Sequence, residues 1–279
     1  MIQLVVTSKF KEEKMSETME IGKDYSLLDS VLFMFGNDRF PKLAVKHRDQ
    51  FQSAEPFKHA VIDNFLPAAV AQQLFEHYPK VDDKIVHHDN ENTSRKLQPD
   101  VANMHPYVRA FAAALASREF LLFLETLTGV ECLIADPYLF GGGAMISEKG
   151  DFLNIHQDFN WHYQLQLHRR VNALIYLTPD WEPEYGGDLE LWDETKCVQK
   201  VAPLFNRLVV FATPGANHGQ PEKMDAPEDV KRRVFSTFYY TSRPSDETWD
   251  DPHFTKYLPN NFRLGVKTKD DYVARGSEY

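Results

Sequence analysis

Two histidines and one aspartate set the chemistry that this 279-residue chain can perform. His156 and Asp158 lie two residues apart, so on an extended strand both side chains point to the same face. His218 comes later, in a turn-forming segment at 214–219. Two imidazoles and one carboxylate suit a divalent metal and leave coordination positions open for a reactant. The sequence therefore predicts a metal site at His156, Asp158 and His218.

A basic residue on a later strand adds a place for an anion. The segment 231–240 carries Arg232 and Arg233 at the start of a run of β-forming residues. A buried guanidinium binds a carboxylate through two parallel hydrogen bonds, which a lysine cannot reproduce. Strand parity sends only one of the two arginines inward. Parity does not say which of the two faces inward, so both arginines remain candidates.

These residues together resemble a known family. An H-x-D motif, a distant histidine and an arginine on a closing strand are similar to the Fe(II)/2-oxoglutarate-dependent dioxygenases, and most to their prolyl-hydroxylase-type branch. The segment 172–181, followed by a Gly-Gly turn and a strand at 186–192, resembles the corresponding part of that branch. The similarity extends over about residues 57 to 242, and its motifs are dense only in the second half.

The resemblance implies a role for each site residue. It places Fe(II) on His156, Asp158 and His218, and it implies 2-oxoglutarate and O2 as cosubstrates. Arg232 is expected to bind the C5 carboxylate of 2-oxoglutarate, and Arg233 is the competitor. The family usually has serine or alanine where this chain has Val234.

Two further residues are expected at the cosubstrate. Tyr176 matches the position at which prolyl-hydroxylase-type enzymes place a hydroxyl on the same carboxylate. Asn172, four residues earlier on the same strand face, is expected near the cosubstrate or the metal. The alternative for both is core packing. The loop at 161–163 and the polar stretch at 81–100, which contains His87 and His88, are candidate substrate loops or plain surface.

The implied function is a hydroxylase that acts on an unactivated C–H bond and releases succinate and CO2. A small amino-acid-like or natural-product substrate competes with a prolyl residue in a protein or peptide. A second class of function is a cupin-like metal-binding protein without oxygenase activity, which would not need Arg232 or Tyr176. A third is an interaction domain with a vestigial site, which the intact triad disfavours.

The sequence pattern around these residues predicts a mainly β protein with flanking helices, an α+β chain. Residues 105–129 indicate two consecutive helices. After them the period changes to two, with short strands separated by glycine and proline turns. Such a pattern is typical of a sandwich or barrel, and we expect a double-stranded β-helix, a cupin-like jelly roll buttressed by N-terminal helices. The predicted strands are 132–139, 144–147, 153–158, 171–177, 189–192, 208–212 and 234–240.

The domain boundaries follow from the same pattern. We expect an N-terminal extension at 1–55 that packs on the domain, with helices near 25–35 and 41–51. The jelly-roll domain with its helical buttress is expected at 56–242, and a polar wrapping tail at 243–279.

Composition limits the partners. The net charge of −10, without a long basic run, argues against binding of nucleic acid or an anionic membrane surface. Two cysteines give no disulfide framework and favour a reducing cytoplasm. No apolar run is long enough to span a bilayer, and the first residues lack the apolar core of a secretory signal. The expected partner is a small-molecule substrate. The oligomeric state stays open, with a homodimer as one candidate.

Overall fold

This computed structural model describes residues 38–81, 85–98, 100–243, 251–258 and 273–274. The helix expected near 25–35 lies outside the described residues. None of the helices within them is long and apolar enough to cross a membrane.

A single curled sheet forms the body of the described part of the chain. Its main path runs β1-β11-β8-β13-β5-β3-β6-β12-β9-β10, and its neighbouring strands are antiparallel. Off this path, β2 pairs with β3, β4 with β13, β7 with β8, and β14 with β6 and β15. The strands are β1 His59–Ile62, β2 Val86–Asn90, β3 Thr93–Gln98, β4 Ile134–Ala135, β5 Gly143–Ser147, β6 Phe152–Gln157, β7 Trp161–His162, β8 Leu167–Tyr176, β9 Leu189–Trp192, β10 Cys197–Val201, β11 Arg207–Ala212, β12 Asn217–Gln220, β13 Arg232–Thr241, β14 Lys256–Tyr257 and β15 Val273–Ala274.

Four α-helices accompany the sheet within the described residues: α1 Arg39–Ser53, α2 Ala68–Glu76, α3 Pro106–Leu115 and α4 Arg118–Thr128. The two consecutive helices predicted at 105–129 are confirmed. The Ser117 side chain accepts a hydrogen bond from the Phe120 N–H at the start of α4. Gly129 ends α4 with φ of 75°, a left-handed conformation that glycine adopts without a Cβ penalty. The helix expected near 41–51 is also confirmed, as α1.

The helices pack on one face of β8, β11 and β13. Alternate residues of these strands join helix side chains in the largest apolar cluster of the described residues, because strand side chains alternate between faces. Phe235 of β13, for example, makes an edge-on contact with Phe111 of α3, with ring centroids 5.5 Å apart. The chain is thus a double-stranded β-helix, a jelly roll with a helical buttress, as the sequence predicted. The other face of β8 and β13 lines a cavity.

Two local predictions were wrong. The polar stretch expected as a loop at 81–100 contains a β-hairpin, β2–β3, in which β3 also pairs with β5 and β6. These are long-range pairings, which the local polar pattern does not reveal. The strand expected at 132–139 is reduced to Ile134–Ala135. Cys132 and Leu139 both have positive φ there, 59° and 51°, which interrupts an extended chain.

Candidate metal and cosubstrate site

The sheet brings His156, Asp158 and His218 to one place. β6 and β12 are antiparallel neighbours, and His156 lies opposite His218 in their register. The Nε2 atoms of His156 and His218 each lie 3.4 Å from a different oxygen of Asp158. Donor atoms at this separation can share one ion at about 2.0–2.2 Å. One ligand atom from each residue lies within 4.8 Å of the other two.

The backbone fixes which imidazole nitrogen faces the centre of this cluster. The Nδ1 of His156 lies 2.8 Å from the Asn154 carbonyl oxygen, and the Nδ1 of His218 lies 3.1 Å from the Ala216 carbonyl oxygen. A carbonyl only accepts, so each Nδ1 carries the hydrogen and each neutral ring keeps a lone pair on Nε2. Burial lowers the pKa of His218 to about 4, although the Asp158 carboxylate opposes the effect. At neutral pH this imidazole is therefore ready to bind a metal.

A glycine next to the second histidine permits the close approach of β6 and β12. A Cβ at position 219 would lie 2.7 Å from the Leu153 carbonyl oxygen and 2.8 Å from that of Asn154. Either distance is too short for a real contact. Gly219 therefore allows the strand pairing that holds His218 opposite His156.

Arg232 lies in the same cavity, at the start of β13. Its Nε donates to the Gly187 carbonyl oxygen at 2.8 Å, and one of its terminal nitrogens donates to the Tyr176 hydroxyl oxygen at 3.4 Å. Gly187 has φ of +75°, and a Cβ there would lie 3.1 Å from the Arg232 side chain, so the turn suits glycine. Arg232 is only 9% exposed and forms no ion pair within the described part of the chain. A buried cation without a counterion favours an anionic ligand.

Arg233 points to the opposite face of the strand. Its guanidinium lies over the Phe75 ring of α2, with 4.9 Å from its central carbon to the ring centroid, and one of its nitrogens donates to the Lys231 carbonyl oxygen. Of the two arginines that parity left open, the structure places Arg232 in the cavity.

A family of known proteins matches the segment that carries these residues. Residues 142–248 match the sequence profile of the family described as the 2OG-Fe(II) oxygenase superfamily, and this range contains the histidines, the aspartate and Arg232. Residues 142–248 are therefore similar to members of that superfamily. This similarity indicates Fe(II) and 2-oxoglutarate as the cofactors of the cavity, with O2 as the usual cosubstrate.

Two similar proteins extend the comparison beyond the oxygenase motif. The chain is 26% identical over 221 residues to the mouse prolyl 3-hydroxylase OGFOD1, a match that covers 75% of this chain. It spans only 38% of the length of that curated relative. A prolyl hydroxylase from Trichoplax adhaerens, solved with a hypoxia inducible factor oxygen degradation domain peptide fragment, superposes with a TM-score of 0.53. That match covers 73% of this chain and 91% of the other at 18% identity, and it bears on the fold alone.

The oxygenase cavity fits both cofactors. Two Nε2 lone pairs and a carboxylate are the donor set that Fe(II) oxygenases use, with coordination positions left for a reactant. Arg232, with the Tyr176 hydroxyl beside it, offers hydrogen-bond donors to a carboxylate in the same cavity. Burial raises the pKa of Tyr176, partly offset by Arg232, so the phenol keeps the proton that it would donate.

A buried arginine that the sequence did not single out supports the aspartate. Arg169 donates from one terminal nitrogen to Asp158 Oδ2 at 3.0 Å and from Nε to Asn172 Oδ1 at 2.9 Å. Asn172 in turn donates to Asp158 Oδ2 at 2.7 Å. The Arg169 guanidinium also stacks on Phe238, with 3.5 Å from its central carbon to the ring centroid. The two side chains hold one carboxylate oxygen from two directions.

This contact controls the charge of Asp158. Burial by itself would raise the pKa of that carboxyl, but the Arg169 guanidinium and then the two imidazoles outweigh it and keep the pKa well below its usual value. Asp158 is therefore anionic at neutral pH. The structure places Asn172 beside Asp158, whereas Tyr176 lies beside Arg232, and a role of Asn172 toward 2-oxoglutarate stays a prediction.

The cavity has a volume of about 820 Å³, and three further segments contribute to its lining. The β2–β3 hairpin forms one side with His87 and His88, and residues 161–163 contribute Trp161 and Tyr163. The third segment is 254–257, where Phe254 stacks on Tyr163 with ring centroids 4.8 Å apart. Part of the stretch predicted as a wrapping tail therefore borders the cavity, through the pairing of β14 with β6.

Proposed function

We propose that this chain is an Fe(II)- and 2-oxoglutarate-dependent dioxygenase that hydroxylates an unactivated C–H bond. The observation that carries the proposal is the presence, in one cavity, of a His-Asp-His donor cluster and a buried arginine without a counterion. A cupin-like metal-binding protein without oxygenase activity would need only the cluster. Fe(II), 2-oxoglutarate and O2 together supply the oxidising power for hydroxylation, with release of succinate and CO2.

We assign the residues as follows. His156, Asp158 and His218 hold the metal. Arg232 binds the far carboxylate of 2-oxoglutarate and Tyr176 donates to the same group. Arg169 and Asn172 are positioning residues, since both donate hydrogen bonds to Asp158, and Arg169 also balances its charge.

Two substrate classes are candidates, the first a small amino-acid-like or natural-product molecule and the second a prolyl residue within a peptide. The similarity to a prolyl 3-hydroxylase over 75% of this chain favours the second. Two exposed side chains in the cavity lining support it too, because a peptide could contact them from solvent: Tyr163 is 46% exposed and Val86 of the hairpin 44% exposed. Free proline and prolyl peptides, compared by succinate release, distinguish the two substrate classes.

The test of the cofactor assignment compares two neighbouring arginines. Anaerobic Fe(II) and 2-oxoglutarate are titrated into the wild-type protein, and the visible charge-transfer absorbance reports the ternary complex. Arg232→Ala removes the only charged partner that we assign to a buried carboxylate, so the apparent Kd for 2-oxoglutarate should rise on the order of a hundredfold.

Arg233→Ala is the matched control, since it removes the same side chain from the opposite face of β13. Its 2-oxoglutarate affinity should stay close to that of the wild type. Equal effects of the two substitutions, or no charge-transfer band in the wild type, would refute the proposed function.

A further inference from the structure

The β2–β3 hairpin carries an arginine into the oxygenase cavity. Arg95 of β3 lines the cavity, together with its cross-strand neighbour His88 and with Met145 of β5. One terminal nitrogen of Arg95 lies 3.9 Å from the Met145 sulfur, which is a weak acceptor. Arg95 is therefore held against the cavity wall by a thioether and a strand pairing, and neither of them matches its charge.

The donors of Arg95 have no matching acceptors within the part of the chain that the structure describes. Its Nε is buried without a hydrogen-bond partner, and no carboxylate lies within ion-pair distance of its guanidinium. Thr93 Oγ1 and Ser236 Oγ, which belong to two other residues of the cavity wall, are also buried without partners. A buried donor without an acceptor is costly, whereas a donor that meets a bound ligand is not. These three groups therefore mark a surface shaped for a polar ligand.

The charge balance of the cavity indicates the sign of the charge on that ligand. Three arginines and two aspartates line it: Arg95, Arg169, Arg232, Asp89 and Asp158. These side chains carry one positive charge in excess. The charges of Fe(II) and of the 2-oxoglutarate dianion cancel each other, so the cavity keeps this excess when both are bound. Asp158 is matched by Arg169, and Arg232 is assigned to 2-oxoglutarate. Asp89 is exposed, so water screens its charge.

We propose that Arg95 binds a carboxylate of the substrate, so that the substrate of this oxygenase is an anion. The inference rests on the proposed function and specifies the substrate class of the same site. The carboxylate could belong to a free amino-acid-like molecule or to an acidic residue beside the target in a peptide. Both sources offer the planar, two-oxygen partner that a guanidinium binds best.

The experiment uses full-length protein loaded with Mn(II) and 2-oxoglutarate, since Mn(II) occupies the site without turnover. The Kd of that first step is measured for the wild type, Arg95→Gln and Arg95→Lys. Two matched pairs of probes are then titrated, and their line broadening by the bound Mn(II) is followed by NMR. The free pair is N-acetyl-L-proline and N-acetyl-L-prolinamide, and the peptide pair is Ala-Pro-Glu-amide and Ala-Pro-Gln-amide.

The wild type should bind the carboxylate member of one pair at least about tenfold more tightly than the neutral member. Arg95→Gln should abolish this preference, and Arg95→Lys should keep part of it because the charge remains. The pair that shows the preference identifies the source of the carboxylate. The affinity for 2-oxoglutarate should change less than about twofold in Arg95→Gln, because Arg232 holds that cosubstrate.

Several results would overturn the role of Arg95. These are equal affinity for the two members of both pairs, a preference that survives in Arg95→Gln, or no binding of any probe to the wild type. A large loss of 2-oxoglutarate affinity in Arg95→Gln would assign this arginine to the cosubstrate instead. Failure of the wild type to bind Mn(II) and 2-oxoglutarate would refute the proposed function itself, so the two failures are distinguishable.

Discussion

The two faces of strands β8 and β13 differ in what they bury. Toward the helices they present apolar side chains such as Phe235 and Ile175, which are fully buried in the largest apolar cluster. Toward the cavity the same strands present polar groups that are also buried, including Arg232, Asn172 and Ser236. Burial of apolar surface stabilises the fold, whereas burial of polar groups costs free energy unless each finds a partner.

This contrast separates stability from function along a single strand. On the cavity face some polar groups are matched within the protein, as Asp158 is by Arg169 and Asn172. Among the described residues, Arg232 has no counterion and the Ser236 hydroxyl has no hydrogen-bond partner. The unmatched groups are the ones to which we assign ligands. Substitutions on the two faces should therefore affect different measurements.

The largest effect is expected on the cavity face, at the metal cluster. His156→Ala and His218→Ala each remove one Nε2 donor, so Fe(II) binding should be lost and succinate release should fall to background. The thermal unfolding midpoint of the metal-free protein should change little, because neither imidazole belongs to the large helix-facing core. His47→Ala, on the outer surface of α1, is the control and should keep full activity. Normal succinate release in either cavity variant would contradict the metal assignment.

On the helix face, Phe235→Ala should lower the free energy of unfolding by about 3–5 kcal/mol, because it leaves a cavity beside Phe111. Urea denaturation measures the loss. The adjacent Ser236→Ala, on the cavity face, should change the free energy of unfolding by less than about 1 kcal/mol, because its hydroxyl oxygen already lacks a partner. A similar loss in both variants would mean that the two faces do not divide stability from function.

A smaller effect is expected at Asn172, a cavity residue whose hydrogen-bond partners lie within the protein. Asn172→Ala removes one of the two side chains that hold Asp158 Oδ2 and leaves Arg169 in place. The Kd for Fe(II) should rise about 10- to 100-fold, as for other groups that orient a metal ligand, and anaerobic titration measures it. The affinity for 2-oxoglutarate at saturating metal should stay near the wild-type value. If the 2-oxoglutarate affinity falls instead, Asn172 contacts the cosubstrate, the alternative that the sequence left open.

The sequence determined the components of this site. The period of two around residues 153–158 and 171–177 indicated strands, and His156 and Asp158 share a face for that reason. The same alternation allows only one of Arg232 and Arg233 to face the cavity. The Gly-Gly turn preceded the strand at 189–192. The helices at 105–129 followed from apolar residues at helical spacing and a glycine at the end. All of these are local patterns.

Only the tertiary structure decided which partners surround the components. Arg169 and Val171 lie two residues apart, so a regular strand would point both side chains toward the helices, where Val171 lies. The alternation of the sequence therefore does not place Arg169 in the cavity. The register between β8 and β13 shifts there: Tyr239 lies opposite Val171, but Tyr240 lies opposite Arg169. The extra residue, Arg170, is a β-bulge that reverses the parity and brings Arg169 to Asp158.

The hairpin that carries Arg95 depends on pairings with β5 and β6, about 50 to 60 residues further along the chain. Its own residues are polar and lack the apolar alternation by which a strand is recognised locally. A bulge and a long-range pairing are set by the energy of the whole sheet, and so these two arginines become visible only in the folded protein.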